Sequence, residues 1–413
     1  SRSLRARTHR KQEGWFDKIN QSILFRSFPV WMAPLSDMAT CVPLRKELFD
    51  LAIVDEATQC DMASCLPVFQ RAKRAVITGD PKQLRHVSFL SRERQRLIAR
   101  QYSLSEDELE IHNFRDKSIL DLMNERIDSQ QQVVLLDEHF RSRPQIISFS
   151  NREFYRGSLK IMTERPGQSN EPAVAIRRVE GNRDESGRNP IEAKALVEEL
   201  AAWVENEEEL DRSVCHSLGV LSPFRDQVEC IFSLLSERFT SAQIEKHNLI
   251  VGTAHSFQGE ERDIMFLSFA LDADSHNASF RFLNRPDVFN VSITRAKALQ
   301  FVYTSVAPRK APAGTLLAKY LADTRGAPSR AKGKAKRDAF LKDVSEALAP
   351  RGFHSWPGYP IAGQTIDLLV EKNGKPLGID LIGHPGVYED AFELEHYRLF
   401  RRAGLRLFPL PYS

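Results

Sequence analysis

The chain has 413 residues, of which 42% are hydrophobic and 27% charged, and its net charge is only +3. This balance is typical of globular protein, and the length predicts two to three domains. No apolar run approaches the roughly 18 residues of a membrane span, so we expect a cytoplasmic, intracellular protein. The five cysteines form no CxxC pair, which favours reduced thiols over a zinc site. The chain begins without methionine, in mid-pattern, which predicts a truncated start.

Residues 50–137 alternate strand-like and helix-like stretches. Three short apolar runs, at 51–54, 75–78 and 133–136, predict buried strands, and polar residues directly follow the first two. Such a run with a polar tip is typical of a parallel strand whose carboxyl end faces a ligand.

A second region with the same alternation follows. Its predicted helices are 191–205 and 226–238, and its predicted strands are 174–176, 218–221, 249–252, 263–269 and 300–303. The alternation in both regions predicts an α/β protein with two open sheets of the doubly wound type.

Residues 324–337 read TRGAPSRAKGKAKR, and this small, basic, Gly- and Pro-containing composition predicts a linker. Residues 338–413 then form a predicted small domain. Its expected elements are a helix at 339–348, strands at 366–371 and 377–381, a helix at 389–403 and a strand at 406–409.

Two motifs at the ends of predicted strands indicate phosphate chemistry. VDEATQ (54–59) contains two adjacent acids, of which Asp55 can bind Mg²⁺ and Glu56 can act as general base toward water. GDPKQL (79–84) contains a glycine for a tight turn, and Gln83 offers an amide that can sense a phosphate oxygen. One strand-helix unit separates the two motifs, and together they are a far stronger signal than either alone.

The pair resembles motifs II and III of superfamily 1 helicases, in the branch of the nonsense-decay helicase and the replication nuclease-helicase. Four later segments resemble the remaining motifs in the family's order: LDEHFRSRP (136–144), SPFRDQ (222–227), VGTAHSFQGEER (251–262) and NVSITRAK (290–297). The resemblance implies RecA-like P-loop NTPase domains, with residues 1–132 as part of the first and 133–323 as the second.

The resemblance also implies roles for residues that match the motifs. The catalytic set would be Asp55, which also binds Mg²⁺, with Glu56, Gln83, Arg141 and Arg295. The ATP-binding set would be Gln59, Gly79, Asp80, Gly259 and Glu261. The nucleic-acid-binding set would be Ser222, Pro223, Thr253, His255, Ser256 and Gln258. Closure of two domains on ATP and Mg²⁺ would then couple hydrolysis to stepping.

The sequence contains no GxxxxGK(S/T) loop, which such a motor needs to cradle phosphates. We therefore expect that loop upstream of residue 1, in an N-terminal remainder of the same protein. This chain alone should hydrolyse ATP poorly or not at all. The resemblance implies an ATP-dependent helicase or translocase that moves 5′-to-3′ on single-stranded or forked DNA, in repair or defence, with RNA as an open alternative.

The predicted small domain at 338–413 contains residues that could support a second reaction, phosphodiester hydrolysis with Mg²⁺. Asp367 is expected to end one strand and Asp380 to lie in the next, so a hairpin at 372–375 can bring two Mg²⁺ ligands together. The segment resembles the PD-(D/E)xK, restriction-endonuclease-like α/β fold, near very-short-patch-repair-like endonucleases. The family's lysine position is Ile382 here, with His384 or Lys375 as substitutes.

This departure favours an inactive, DNA-binding or structural module over an active nuclease. Two alternatives stay open beside the motor: a Mg²⁺-dependent DNA nuclease regulated by the motor part, and a non-catalytic binding subunit.

Overall fold

The structure, a computed structural model, describes residues 16, 18–127, 132–166, 172–323, 338–383 and 390–412. The predicted linker at 324–337 lies outside these residues. The chain divides into two compact units, Ser1–Val134 and Leu135–Ser413. Among the described residues, no helix combines the length and apolar character that crossing a bilayer requires.

The first unit pairs two short strands with several helices. The strands are β1 (Ala52–Val54) and β2 (Ala75–Ile77), and the helices are α1 (Gln21–Ser27), α2 (Leu35–Cys41), α3 (Met62–Gln70), α4 (Arg92–Gln101), α5 (Glu106–Ile111) and α6 (Ile119–Arg126). The two strands are parallel, with Val54 opposite Ile77. Ile53 and Val76 remain 65% and 45% exposed, so this strand pair presents apolar side chains to solvent.

The prediction of a strand at 133–136 is wrong. These residues adopt no regular structure, and Val133, Val134, Leu135 and Leu136 are all more than half exposed. An apolar run becomes a buried strand only where a neighbouring strand satisfies its backbone groups, and no described strand pairs with this one.

The second unit begins with a short arm, β3 (Glu138–His139) paired in parallel with β4 (Lys160–Ile161). A five-stranded sheet follows, in the order β5-β9-β8-β6-β7, with every neighbouring pair parallel. Its strands are β5 (Val174–Arg178), β6 (Leu218–Leu221), β7 (Ile250–Gly252), β8 (Arg262–Ser268) and β9 (Ala296–Thr304). The five predicted strands and the α/β class are confirmed here.

Helices cover both faces of this sheet. They are α7 (Pro144–Tyr155), α8 (Pro190–Asn206), α9 (Arg225–Arg238), α10 (Ser241–Lys246), α11 (Asn277–Leu283), α12 (Pro286–Ile293) and α13 (Leu316–Asp323). Along β8, Met265 and Leu267 pack with α7, α12 and α13, whereas Ile264 and Phe266 pack with α8 and α9. This alternation with period two is the signature of a strand buried on both faces.

A second, smaller sheet completes the unit. It has the order β10-β11-β12-β13, from β10 (His354–Ile361), β11 (Gln364–Lys372), β12 (Lys375–Ile382) and β13 (Arg406–Pro411), with α14 (Ala339–Leu348) and α15 (Leu394–Arg402) beside it. The predicted hairpin is confirmed, and its turn residues Asn373 and Gly374 have φ of 52° and 74°. Asn-Gly tolerates positive φ at both positions, as a two-residue hairpin turn requires.

Two expectations about this sheet need correction. Asp367 does not end its strand but lies inside β11, because the strand starts at Gln364 and continues to Lys372. Lys375 cannot replace the missing lysine, since it opens β12 at the exposed turn, five residues from Asp380. At about 3.3 Å per residue the two are roughly 16 Å apart. His384, the other substitute, lies outside the described residues.

The small sheet packs against the β3–β4 arm. Met162, directly after β4, joins a core with Tyr359 and Phe400. Arg402 at the end of α15 forms a two-pronged ion pair with Glu138, with contacts of 2.6 and 3.0 Å. The arm is therefore in direct contact with the C-terminal domain.

Gly252 ends β7 where the chain turns sharply. A Cβ atom added there would lie 2.5 Å from the Ser256 Cβ and 2.8 Å from its Oγ. We expect Gly252→Ala to lower the free energy of unfolding by about 1–3 kcal/mol through overpacking, measured by urea denaturation. Gly252→Ala combined with Ser256→Gly should recover most of the loss. An equally stable Gly252→Ala variant would contradict the close approach.

Candidate nucleotide and nucleic-acid site

The acidic pair Asp55 and Glu56 lies at the carboxyl edge of β1 and β2. Parallel strands end at the same edge, and this brings Thr78, after β2, to Asp55, after β1. The Thr78 hydroxyl donates to Asp55 Oδ1 at 2.5 Å, and the Glu56 backbone N–H donates to the same oxygen at 2.9 Å. Carboxylate and hydroxyl oxygens are ligands that Mg²⁺ prefers, so this donor set fits that ion.

Glu56 is held in an uncommon backbone conformation. Its φ is +50°, in the left-handed region, at the start of a 3-10 turn over Ala57–Gln59. The Gln59 amide donates to Glu56 Oε2 at 3.2 Å. A non-glycine residue at positive φ carries a backbone strain, which functional sites often retain because it aims a side chain.

The loop 79–86 lies close to this turn. A Cβ at Gly79 would come within 3.1 Å of the Ala57 backbone nitrogen, so glycine permits the approach. Asp80 shapes the loop: its carboxylate accepts from the Lys82 backbone at 2.9 Å and from the Gln83 amide at 3.1 Å. The His86 backbone N–H donates to the Thr58 carbonyl at 2.9 Å. These hydrogen bonds together hold the loop against the turn.

Three separate segments of the second unit meet at Glu261. Its carboxylate lies 2.5 Å from Arg141 Nε and 2.9 Å from Lys297 Nζ. Partial burial alone would raise the pKa of Glu261, but the hydrogen bond from Lys297 and the charge of Arg141 lower it overall. Lys297 was missed as a site residue, although its position two residues after Arg295 was visible in the sequence.

The backbone around Arg141 is fixed against the start of β9. The Ser142 hydroxyl donates to the Ala296 carbonyl at 2.7 Å, and the Arg143 N–H donates to the Lys297 carbonyl at 2.9 Å. His139 accepts from the Ser142 N–H at 2.9 Å. Burial, with the charge of Arg141, lowers the pKa of His139 to about 4, so the ring stays neutral and can accept.

Arg295 is 2% exposed. Its guanidinium donates to the Val291 carbonyl at 3.2 Å and to the Thr294 hydroxyl at 3.3 Å, both at the end of α12. In this conformation the side chain lies against the end of the helix that precedes it.

The predicted nucleic-acid residues fall into two groups. His255 and Ser256 are exposed, whereas Thr253 and Gln258 are half-buried on the same turn. Ser222 and Pro223 are buried, and the Ser222 N–H donates to the Gly252 carbonyl at 3.2 Å. Gly259 has a φ of +73°, with open space around it. The segment after β6 therefore packs beneath the turn that follows β7.

A buried polar network joins α8, α9 and β8. Gln227 of the SPFRDQ segment is fully buried; it accepts from the Asn189 N–H at 2.7 Å and donates to the Ser268 hydroxyl at 2.9 Å. Ser268 donates in turn to Glu192 at 2.8 Å, which also accepts from the Ala270 N–H. Sequence reasoning found the motif but not this structural role for its glutamine.

Asp367 and Asp380 lie on the neighbouring strands β11 and β12. Asp367 accepts from the Leu381 N–H at 3.0 Å, and Asp380 Oδ2 accepts from the Phe392 N–H and from the Tyr397 hydroxyl. Asp380 Oδ1 is buried and has no hydrogen-bond partner among the described residues. A buried carboxylate oxygen without a partner is costly, and a cation bound to Asp380 Oδ1 would remove that cost.

Comparisons with known proteins agree with the motif pattern. Two AAA-domain family models match, over residues 34–89 and 116–306. An uncharacterized ATP-dependent helicase of Mycoplasma pneumoniae, the MG140 homolog, is 25% identical over 70% of this chain. Helicase SEN1 of Saccharomyces cerevisiae is 29% identical over 60%, and the DNA replication ATP-dependent helicase/nuclease DNA2 of Gallus gallus is 25% identical over 66%.

Both matched family models are AAA domains, and each of these three relatives bears the name of a helicase. The chain spans 26%, 11% and 25% of the lengths of these three relatives. The solved structure of the PRRSV helicase is 17% identical and covers 61% of this chain and 34% of its own, with a TM-score of 0.30, too low for a conclusion about the fold.

Burial raises the pKa of Glu192 to about 7, from 4.5, although its hydrogen bonds with Ala270 and Ser268 oppose the shift. The folded state therefore retains a proton that the unfolded state loses, and the stability from this group is complete below pH 4.5 and disappears as pH rises through 7. Between pH 4.5 and 7 the free energy of unfolding should therefore fall by about 3 kcal/mol because of Glu192, and we expect Glu192→Gln to abolish this fall. Urea denaturation at stepped pH measures it.

Glu198→Gln is the matched control, since Glu198 lies on the exposed side of the same helix. It should leave the pH dependence unchanged. A Glu192→Gln variant that keeps the full pH dependence would show that another buried acid causes it.

Proposed function

We propose that this chain forms part of an ATP-driven helicase or translocase that moves 5′-to-3′ on single-stranded or forked DNA. The observation that carries the proposal is the ion cluster at Glu261. Arg141, Glu261 and Lys297 come from segments far apart in the sequence, each of which resembles a helicase motif, yet their charged groups meet within 3 Å of Glu261. A chance resemblance of isolated motifs gives no reason for such convergence.

The proposed hydrolysis uses the first unit. Asp55 would hold Mg²⁺ with Thr78 as its neighbour, and Glu56 would accept a proton from the water that attacks the γ-phosphorus. The bond to the β-phosphate oxygen breaks, and ADP leaves with that oxygen. Gln83 would sense the γ-phosphate, with Gln59, Gly79 and Asp80 beside the nucleotide.

The proposed charge stabilisation uses the second unit. Arg141 and Arg295 would neutralise charge on the transferring phosphoryl group. Arg141 would have to leave Glu261 to do so, and Lys297 would remain to neutralise that carboxylate. Gly259 and Glu261 would lie near the nucleotide.

Nucleic-acid contact is proposed for the turn after β7. Thr253, His255, Ser256 and Gln258 would grip phosphates without reading bases, as a translocase requires. Since Ser222 and Pro223 are buried, their contribution would be to support this turn through the bond from Ser222 to Gly252.

A further proposed partner is a segment that supplies the phosphate-binding loop, which these 413 residues lack. The support is the exposed apolar surface of β1 and β2, where Ile53 and Val76 face solvent. A two-stranded sheet gains stability when another strand or helix covers such a surface.

Glu56→Gln should reduce DNA-stimulated ATP hydrolysis by at least about 100-fold in the chain combined with its phosphate-loop segment, because the general base is lost. A coupled phosphate-release assay measures this, run in parallel with single-stranded DNA and RNA. Glu93→Gln, an exposed change on α4 in the same unit, is the control and should match the unmodified protein. Turnover that survives Glu56→Gln would rule out the proposed base.

A second candidate function, DNA cleavage, must be weighed for the C-terminal domain, because Asp380 Oδ1 is buried and has no hydrogen-bond partner among the described residues. Asp367 and Asp380 would hold Mg²⁺ there. Ile382 stands where the related fold places a lysine that assists hydrolysis, so we propose a DNA-binding domain with no cutting activity.

We expect the unmodified chain to leave supercoiled plasmid intact with Mg²⁺ and without ATP, read by gel electrophoresis. The variant with both Asp367→Asn and Asp380→Asn is the control for contaminating nucleases. Cleavage by the unmodified chain that disappears in this variant would establish the nuclease instead.

A further inference from the structure

A cluster of ligand-type side chains lies in the second unit, outside every helicase motif. Glu207 follows the helix Pro190–Asn206, Cys215 precedes the strand Leu218–Leu221, and His247 follows the helix Ser241–Lys246. A carboxylate oxygen of Glu207, the Cys215 sulfur and a ring nitrogen of His247 all lie within 4.8 Å of one another. Glu207 and Cys215 are eight residues apart, but His247 follows Cys215 by 32 residues, so the fold is needed to bring its ring to the other two.

The cluster is largely withdrawn from water. Glu207 is 6% and His247 1% exposed, and Cys215 is half-buried. Glu207 Oε2 lies 3.6 Å from His247 Nδ1, longer than a good hydrogen bond. Lys246, which could have neutralised Glu207, instead directs its ammonium to the backbone carbonyls of Glu207 and Glu208, at 2.9 and 2.6 Å.

His247 provides an independent indication of a ligand. Its Nδ1 lies 3.1 Å from the His216 carbonyl, and its Nε2 is buried without a hydrogen-bond partner in the described parts of the chain. A metal-bound histidine commonly donates one ring N–H to a carbonyl and uses its other nitrogen as the ligand. A buried nitrogen with no partner is costly, and a metal ion would remove that cost.

His216 fixes the carboxylate. Its Nδ1 lies 2.5 Å from Glu207 Oε1, and its backbone N–H donates to Oε2 at 3.0 Å. The Glu207 carboxylate is thereby oriented before any ion arrives, which is the usual task of a residue outside the ligand set.

We propose that Glu207, Cys215 and His247 bind one zinc ion, with water as the fourth ligand and His216 as the residue that positions Glu207. Thiolate, imidazole and carboxylate together suit zinc, whereas Mg²⁺ and Ca²⁺ require oxygen ligands. The ion would fasten the connection before Leu218–Leu221 to the end of Ser241–Lys246. The site is independent of the proposed motor activity.

The test uses the full 413-residue chain, purified without a histidine tag and stripped with chelator. Zn²⁺ affinity is measured by competition with a chromophoric chelator, and Co²⁺ serves as a spectroscopic probe. We expect one ion per chain and a thiolate-to-cobalt charge-transfer band. Cys215→Ser should abolish that band and weaken zinc binding more than about 100-fold, because losing a ligand exceeds the effect of losing an outer partner.

His216→Gln should keep the cobalt band and weaken zinc binding about 10–100-fold, as expected for a positioning residue. Cys230→Ser, a change of another half-buried cysteine in the same unit, should alter neither measurement. A cobalt complex of the unmodified chain without a thiolate band would overturn the proposal, as would a band that survives Cys215→Ser or disappears in Cys230→Ser. The cobalt spectrum of the unmodified chain needs no variant, so the proposal can be rejected even if a variant misfolds.

Discussion

Parallel strands place all their carboxyl ends along one edge of a sheet and all their amino ends along the other, and the second unit is organised by this constraint. β7 ends at Gly252 and β8 begins at Arg262, with β6 between them in the sheet. The connection 253–261 must therefore pass from the carboxyl edge to the amino edge. Its exposed residues His255 and Ser256 come near its start, and Glu261 comes at its end. One short segment thus links a proposed nucleic-acid surface with the ion cluster.

The energies of that cluster suit an exchange of partners. Arg141, Glu261 and Lys297 are each between 35% and 39% exposed. Ion pairs at such exposure contribute only about 0–1 kcal/mol, because water solvates the separated charges nearly as well. Two cations share one carboxylate, so Arg141 can leave without creating an unpaired acid. A buried pair would resist the same change by several kcal/mol. The cluster therefore holds Arg141 in place when no phosphate is near, yet gives it up at little cost.

Features of the fold that depend on local sequence pattern could be predicted. The five strands of the main sheet follow from apolar runs bounded by polar residues, and the hairpin at 372–375 follows from Asn373-Gly374, which tolerates positive φ. Local pattern could not reveal that 133–136 lacks a pairing strand, since a strand needs a neighbour that its own residues do not specify. Ion pairs such as Arg141 with Glu261 join residues far apart in the chain. The Glu207, Cys215 and His247 cluster could not be predicted for a different reason, because its spacing matches no familiar metal motif.

The arm that carries Arg141 also carries the contact with the C-terminal sheet. Glu138, three residues before Arg141, pairs with Arg402, and Met162, directly after β4, lies in the same core as Phe400. The ion pair alone is exposed and weak, but the apolar contact with Met162 is buried, and burying one such side chain contributes about 1.5–3 kcal/mol. Any rotation of the arm that moved Arg141 away from Glu261 would have to carry the C-terminal sheet with it or break that apolar contact. Since hydrogen bonds from Ser142 and Arg143 also fix the backbone beside Arg141 to the start of β9, Arg141 leaves Glu261 at the lowest cost by a rotation of its own side chain.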